Sequence, residues 1–476
     1  MTTLAVWMAL SSPALAADVS IGVGDDIAAL TSSLRPGDRV LFAPGTYDIE
    51  GTITWIGLGT EEEPITIKPN GDGEVLFNNI SGGYGIRVQD SAFISIEGIT
   101  IVGSTDDYGY ANGSGIEIEN SSDITLISSI FKDLGGDGIR IDGDCRNLLI
   151  EGNEVANLEN GTGISIGCGD ASCWLQDSII TGNLVHDVRY SGIYMQPGTQ
   201  NVTLTDNNIF RVERGVYLPP TELGPTNVFE GNAIWQTEND GIEVRGTAIV
   251  RNNIVFEIGG DGVYTNDDDY GNDLVDTVIS HNTIARTDGY GANLDDAYNV
   301  QGFVFANNVI ANPTGLGLDW NDDFKYSGET DNYISTNVVT GLVEGFSLLD
   351  RPTFVVAGGG YSDFENAENF DFYPRQGSTI VDRGDAAGEA YIPEFDFNGL
   401  PRQGNAPDVG AYEWDGSGNP GWVIAEGFKE TDAVANNNRA DLGGGCCGGN
   451  DSGEQAFLFL PIAGLAVGWR RRKRNA

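Results

Sequence analysis

Gly138-Ile139-Arg140-Ile141, Gly163-Ile164-Ser165-Ile166 and Gly241-Ile242-Glu243-Val244 decide the fold. Each is a short alternating run. Period two is the pattern of a strand with one face buried and one exposed. The opening dipeptide recurs at Gly85-Ile86, Gly115-Ile116, Gly192-Ile193, Gly215-Val216, Gly262-Val263, Gly291-Ala292 and Gly317-Leu318, at separations of 21 to 30 residues. These glycines number the coils one to ten. A second marker keeps step with them. Asn153, Asn183, Asn208, Asn232, Asn253, Asn282, Asn308 and Asn337 each precede an apolar pair or an apolar-polar-apolar run. Self-similarity at this period is the mark of a stacked array. No unit holds a long helical pattern, so helical and leucine-rich arrays fit poorly. Three short strands with turns fill a unit, and stacking pairs each strand in parallel with its copy one turn on. The expected fold is all-β, a right-handed parallel β-helix of about ten or more coils. The 67 glycines suit tight turns at the coil corners.

This repeat resembles the pectin-lyase-like superfamily over roughly residues 20–415. The resemblance implies the fold and little about activity, because that fold carries many functions. Before the coils, Asp25 to Leu34 reads as a short amphipathic helix capped by Asp25 or Asp26, with Ile27, Leu30 and Leu34 on one side. It is a fitting lid for the open end of the solenoid. Pro36-Gly37-Asp38-Arg39-Val40-Leu41-Phe42, Pro44-Gly45-Thr46-Tyr47 and Pro64-Ile65-Thr66-Ile67 resemble the opening of secreted β-helix lyases related to chondroitinase B and alginate lyase.

Asp plus Glu number 70 against 25 Lys plus Arg, a formal charge of −45. Phosphate backbones are repelled, so nucleic acid is excluded as a partner. Unaided binding of polyanionic glycans is disfavoured too. Neutral partners, or acidic ones bridged by a cation, fit better. Residues 1–17 read as an export signal, with Val6 to Leu10 apolar and Ala14-Leu15-Ala16 as cleavage site, although a basic start is missing. Cys145, Cys168 and Cys173 then enter an oxidising space. Cys168 and Cys173 bracket a short loop and are candidates to pair, but three cysteines leave the connectivity open.

With the Ile or Val after each Gly pointing inward, the next residue points out, as does the one two further on. Early coils give Arg87 with Gln89, Glu117 with Glu119, Arg140 with Asp142, and Ser165 with Gly167. Later coils give Tyr194 with Gln196, Tyr217 with Pro219, Glu243 with Arg245, and Tyr264 with Asn266. Asn293 with Asp295 and Asp319 with Asn321 complete the strip. Tyrosine offers a flat apolar platform with a polar tip, suited to sugar rings. A glycan lying along the axis meets about one coil per sugar, at a step of about 4.8 Å. Tyr194, Tyr217, Arg245, Tyr264 and Asn266 are thus candidate polysaccharide-binding residues, on a protein expected to be a monomer.

Glycoside hydrolysis needs two carboxyls about 5–5.5 Å or about 6.5–9.5 Å apart. Asp295 and Asp319 are one coil apart and Glu243 and Asp295 two, so these three are the candidate catalytic acids. The β-helix polygalacturonases carry Asn-Thr-Asp, Asp-Asp, Gly-His-Gly and Arg-Ile-Lys. Here only Thr265-Asn266-Asp267-Asp268 stands near that pattern, so those roles are not carried over. Elimination needs a base and a cation that acidifies the proton beside a uronate carboxyl. Arg245 and Lys325 are the candidate bases, and the Asn-Glu-Glu calcium set of the chondroitinase B relatives is not recognisable. A third class is a non-catalytic adhesin using the same strip. At the following corner Asp267, Asp268, Asp296, Asp322 and Asp323 recur at about one coil each, a candidate calcium site. His186 and His281 are isolated and read as turn or stacking residues.

The β-helix is expected to end near residue 345, with 346–414 as its C-terminal cap. Phe395-Asp396-Phe397-Asn398-Gly399-Leu400-Pro401-Arg402 and Asp408-Val409-Gly410-Ala411-Tyr412-Glu413 resemble a cap on bacterial surface β-helix proteins, with Asp396, Arg402 and Glu413 locking it. Residues 415–455 read as a flexible polar linker. Cys446-Cys447, the apolar run Ala456 to Trp469 and the basic end Arg470 to Arg474 resemble the sorting signals of myxobacteria, or a tail anchor. Both place the β-helix outside the cell, at its surface.

Overall fold

The computed structural model describes residues 16–430 apart from 33, 80–81, 104–112, 169–172, 220–225, 266–273, 295–299, 321–331, 345–354, 359, 387–390 and 404–405. Alternating Ile and Val put their side chains into one interior, and the backbone answers with three parallel ladders. The first runs from Asp18–Ile21 through Ser122–Ile127 and Gln200–Thr205 to Tyr333–Ser335. The second runs from Gly45–Ile49 through Ile130–Leu134 and Ala233–Thr237 to Val355–Ala357, and the third from Ile53–Trp55 through Ile139–Asp142 and Ile242–Val244 to Leu318–Trp320. Almost every pairing is parallel with its copy one coil away, so the fold is a parallel β-helix with almost no helix. Ile86, Ile116, Ile139, Ile164, Ile193, Val216, Ile242, Val263, Ala292 and Leu318, the residues after the marker glycines, are all fully buried.

The marker glycines serve a different purpose from corner glycines such as Gly152, Gly182 and Gly231, whose φ is positive. They do not supply left-handed turns. At Gly215 a Cβ would stand 2.2 Å from the Gly241 carbonyl oxygen and 2.5 Å from Ile234 Cγ2. The coils touch backbone to backbone there, and no side chain fits. Gly215→Ala is expected to cost about 2–4 kcal/mol through forced backbone shifts, read as a lower urea midpoint. Left-handed corner positions are filled by residues such as Asp206, Asn252, His281 and Asn307 as well as glycine.

Directly after that corner comes a buried asparagine ladder. Asn153, Asn183, Asn207, Asn232, Asn253, Asn282, Asn308 and Asn337 link coil to coil, each Oδ1 accepting the backbone N–H of the residue one coil before. The ladder uses Asn207 rather than the expected Asn208. Asn208 sits one residue on, facing outward. It accepts from Trp235 Nε1 and donates to the Ala425 and Gly427 carbonyls.

At the N-terminus the helix is shorter than expected, Ile27–Thr31, with Asp26 capping it through Ala29 N–H at 3.0 Å. Ile27 and Thr31 are buried, whereas Leu30 is 43% exposed, so it is not part of the lid face. At the other end a closing strap packs on the flank of the second ladder. Phe210, Trp235 and Phe256 stack outward on successive coils at 4.4 and 5.6 Å between centroids. Phe364, Phe372, Tyr373, Phe397, Tyr412, Trp422 and Ile424 join them in one apolar cluster. Lys429 donates to Asp206 Oδ1 at 2.6 Å and to the Gly231 carbonyl. Residues 415–430 are therefore part of the fold and not the start of a flexible linker. No helix among the described residues is long and apolar enough to cross a membrane, and Ala456 to Trp469 lies outside them.

Candidate functional site

The outward face of the third ladder carries the predicted strip in unbroken register. Thr54, Arg87, Glu117, Arg140, Ser165, Tyr194, Tyr217, Glu243, Tyr264, Asn293 and Asp319 are consecutive Cα partners. The first coils neutralise their charges internally. Arg87 pairs with Glu117, and Arg140 with Asp137 and Asp142. From Tyr194 on the face is aromatic and polar.

Tyr194 and Tyr217 stack at 4.5 Å with an angle of 25°. The Arg245 guanidinium lies 5.0 Å over the Tyr217 ring. Arg245 Nε donates to Glu243 Oε1 at 2.5 Å, and Arg214 Nε lies 3.1 Å from Glu243 Oε2. This packing makes Glu243 1% exposed and Tyr217 6% exposed. The strip is thus not uniformly open, as period-two alternation alone would have it. Tyr194, Tyr264, Asn293 and Asp319 are the half-buried residues that border solvent. Arg214 was not foreseen, because it precedes its marker glycine and reaches across from the neighbouring coil.

Two acids beneath the strip were also not foreseen. Asp240 and Asp261 each stand just before a marker glycine. Asp240 Oδ1 accepts the Asp261 N–H at 2.8 Å, and Asp261 Oδ1 accepts the Tyr290 N–H at 2.6 Å. Asp261 Oδ2 also accepts from Asn293 Nδ2 at 2.8 Å, which fixes the Asn293 amide. Burial pushes the carboxyls of Asp240 and Asp261 above their ordinary range, and the neighbouring Glu243 charge adds to this at Asp240. The recurring Asp-Gly pair at 137–138, 240–241 and 261–262 was the available signal.

Of the candidate acids, Glu243 is not a free carboxylate, since two arginines hold it. Asp319 closes the strip three coil steps from Glu243, about 14 Å by strand spacing. Asp295, Asn266, the acids Asp267, Asp268, Asp296, Asp322 and Asp323, and Lys325 lie outside the described residues. Among the described residues Asp142, Cys168 and Cys173 come close enough to share an ion, but the two sulfurs form a disulfide and offer no thiolate. Cys145 is free and buried, and burial pushes its thiol up to about 11. His281 is fully buried and held neutral by its burial, while His186 stacks on Phe210 at 5.0 Å.

A family model for the right handed beta helix region matches residues 65–183 and 114–279. No curated protein sequence matches the chain. Among solved structures, the A-module of the Azotobacter vinelandii mannuronan C-5 epimerase AlgE6 is similar with a TM-score of 0.53 and 13% identity, over 68% of this chain and 90% of its own. The A-module of AlgE4 from the same organism gives 0.52 and 14%, over 68% and 91%. An alginate lyase from Paenibacillus sp. gives 0.45 and 18%, over 69% and 99%. At these identities the likeness is one of fold: a right-handed parallel β-helix.

Proposed function

We propose that the chain is an exported, cell-surface protein that holds a polysaccharide along the third-ladder strip, about one sugar unit per coil. The single observation that carries this is the in-register run of Tyr194, Tyr217, Glu243, Tyr264, Asn293 and Asp319. Its members that border solvent, the Tyr194 and Tyr264 rings and the polar Asn293 and Asp319, stand at whole coil steps of about 4.8 Å. The two epimerase modules are named for action on mannuronan, which supports a polysaccharide as the ligand.

Binding is the reading the described residues favour. Glu243 is bound to Arg245 and Arg214, so it serves to position those arginines rather than to shuttle protons. Arg245 is itself taken up by Glu243 and the Tyr217 ring, which leaves it badly placed as an elimination base. Hydrolysis, as the second reading, rests on Asp319 at the rim of the strip and on Asp295, which the sequence spacing alone puts one coil away and which lies outside the described residues. Calcium at Asp267, Asp268, Asp296, Asp322 and Asp323 would bridge acidic sugars to this acidic protein.

Glycan-array binding by the full chain, with and without calcium, tests this, with product analysis on every hit. Tyr194→Ala and Tyr264→Ala are each expected to weaken binding about tenfold. Cleavage abolished by Asp319→Asn makes the protein a hydrolase. An unsaturated product makes it a lyase. Binding without product leaves a glycan-binding surface protein. No binding in either condition sinks the strip as a glycan site.

A further inference from the structure

Around the corner from the strip, where the third ladder turns into the first, the early coils form a groove of about 500 Å³. It runs along the axis from Leu58 past Asp90, Asn120 and Asp144 to Trp174, with Arg146 beside them. Trp174 and Leu58 are 47% and 64% exposed. Trp174 stands directly over Asp144, and Arg146 is in register with Gln176 and Ser122.

Three observations set this groove apart. First, it exposes an indole on a chain of formal charge −45. An apolar ring in water is a contact left unmade. Second, its charges are uncommitted. Elsewhere the coil surface pairs its polar groups across coils: Asn147 with Asp123, Arg251 with Glu230, Arg286 with Glu257. The side chains of Asp90, Asp144 and Arg146 have no hydrogen bond or ion pair among the described residues. Third, the groove adjoins the strip across one corner: the strand that carries Tyr194 turns after Met195 into Gln200, which pairs with the groove residue Gln176. Gly198, four residues after Tyr194, packs so closely on this end that a Cβ there would stand 2.5 Å from the Cys173 carbonyl oxygen. The disulfide from Cys168 to Cys173 ties down the residue just before Trp174, so the indole is positioned before any ligand arrives.

We infer that this groove is a second glycan subsite, which extends the polysaccharide path from Tyr194 round the corner to Trp174 and on towards Leu58. A pyranose ring stacks on the indole. Its hydroxyls donate to Asp90 and Asp144 and accept from Arg146. Four coil steps add about 19 Å of path, room for about four more sugar units. The inference rests on the glycan-binding reading of the strip. It adds a prediction that the strip alone does not make: affinity grows with chain length beyond what the strip holds.

The test uses the full chain and size-fractionated oligomers of four and ten units from alginate, xylan, pullulan and chitosan. Calorimetry gives the affinities. 5-Fluorotryptophan labelling, with the Trp174 signal assigned through Trp174→Phe, reports contact directly. The expected result is tighter binding of at least one ten-unit oligomer, with a shift of the Trp174 fluorine signal. Trp174→Ala should weaken that binding about fivefold to tenfold and leave four-unit binding unchanged. The groove is overturned if Tyr194→Ala weakens ten-unit binding while Trp174→Ala does not and the fluorine signal stays still; the strip then stands alone. If no oligomer binds the unaltered chain at either length, strip and groove fall together.

Discussion

Asn253→Ala is expected to lower the unfolding free energy by about 3–5 kcal/mol, one of the largest losses a single side chain of this solenoid can give. Asn253 Oδ1 accepts the Asn232 N–H at 2.9 Å and Asn232 Nδ2 at 3.1 Å. Its own Nδ2 donates to the Phe229 carbonyl and to Asn282 Oδ1, both at 3.0 Å. All of this is fully buried. Truncation leaves the buried Asn232 N–H without its partner and takes one donor away from the Phe229 carbonyl. An orphaned buried group costs about 1–3 kcal/mol, and the small cavity left behind adds to that. Asn253→Asp keeps the shape and loses the donor, so it places a carboxylate against two acceptors. It is expected to be at least as damaging. Asn78→Ala is the control: it removes a surface hydrogen bond to Asp48 and should change stability by about 0.5 kcal/mol or less. Urea midpoints of the variants decide it. Equal midpoints for Asn253→Ala and Asn78→Ala would show that the ladder is not a source of stability.

Much of this architecture was legible because period-two alternation and a fixed repeat are properties of the chain itself. The outward register of the third ladder follows from one assumption, that Ile or Val after each Gly points in. What was hidden depends on neighbours one coil away. Asn207 and Asn208 are equivalent as letters, and the corner at Asp206 decides between them, since the residue straight after the left-handed position turns inward. The role of Gly215 is set by Gly241 of the next coil, not by its own φ. Glu243 loses its exposure to Arg214, a residue the period-two count places outside the strip. The strap was hidden by its composition, since Trp422, Ile424 and Lys429 are scattered in a Gly- and Asn-rich stretch. The sign of it was on the coils instead. Phe210, Trp235 and Phe256 fall on outward positions of three successive coils, and an exposed aromatic stack of that length requires a cover.

Buried Arg402 holds much of that cover, and Arg402→Met should loosen it. Arg402 Nη2 donates to Asn252 Oδ1 and the Gly410 carbonyl at 2.8 Å and to the Ala411 carbonyl at 3.2 Å. Nη1 reaches the Asp408 and Tyr412 carbonyls and Glu413 Oε2 at 3.2 to 3.3 Å. Without the guanidinium, Asp396, Asp408 and Glu413 remain buried near one another with no counter-charge, a loss of about 3–5 kcal/mol. The coils keep their own ladders, so the loss falls on the strap. The expected result is protease cleavage within 361–430 and binding of an apolar dye to the uncovered Phe210, Trp235 and Phe256, while the coil core stays resistant. Acid should oppose this. Burial pushes Asp396 up to about 6 and Asp408 up to about 7, against the backbone N–H groups that favour their charged forms. Carboxyls raised in the folded state contribute stability that is full below their ordinary value near 4 and lost as pH rises through 6 to 7, at most about 3 kcal/mol for Asp396 and about 4 kcal/mol for Asp408. The unaltered strap should therefore hold more tightly at pH 5 than at pH 8. The Arg402→Met strap should regain part of its protease resistance on the same shift, because neutral carboxyls need no cation. Cleavage of the variant at one rate across pH 5 to 8 would mean that these acids stay charged and that Arg402 acts through its hydrogen bonds to the strap carbonyls alone.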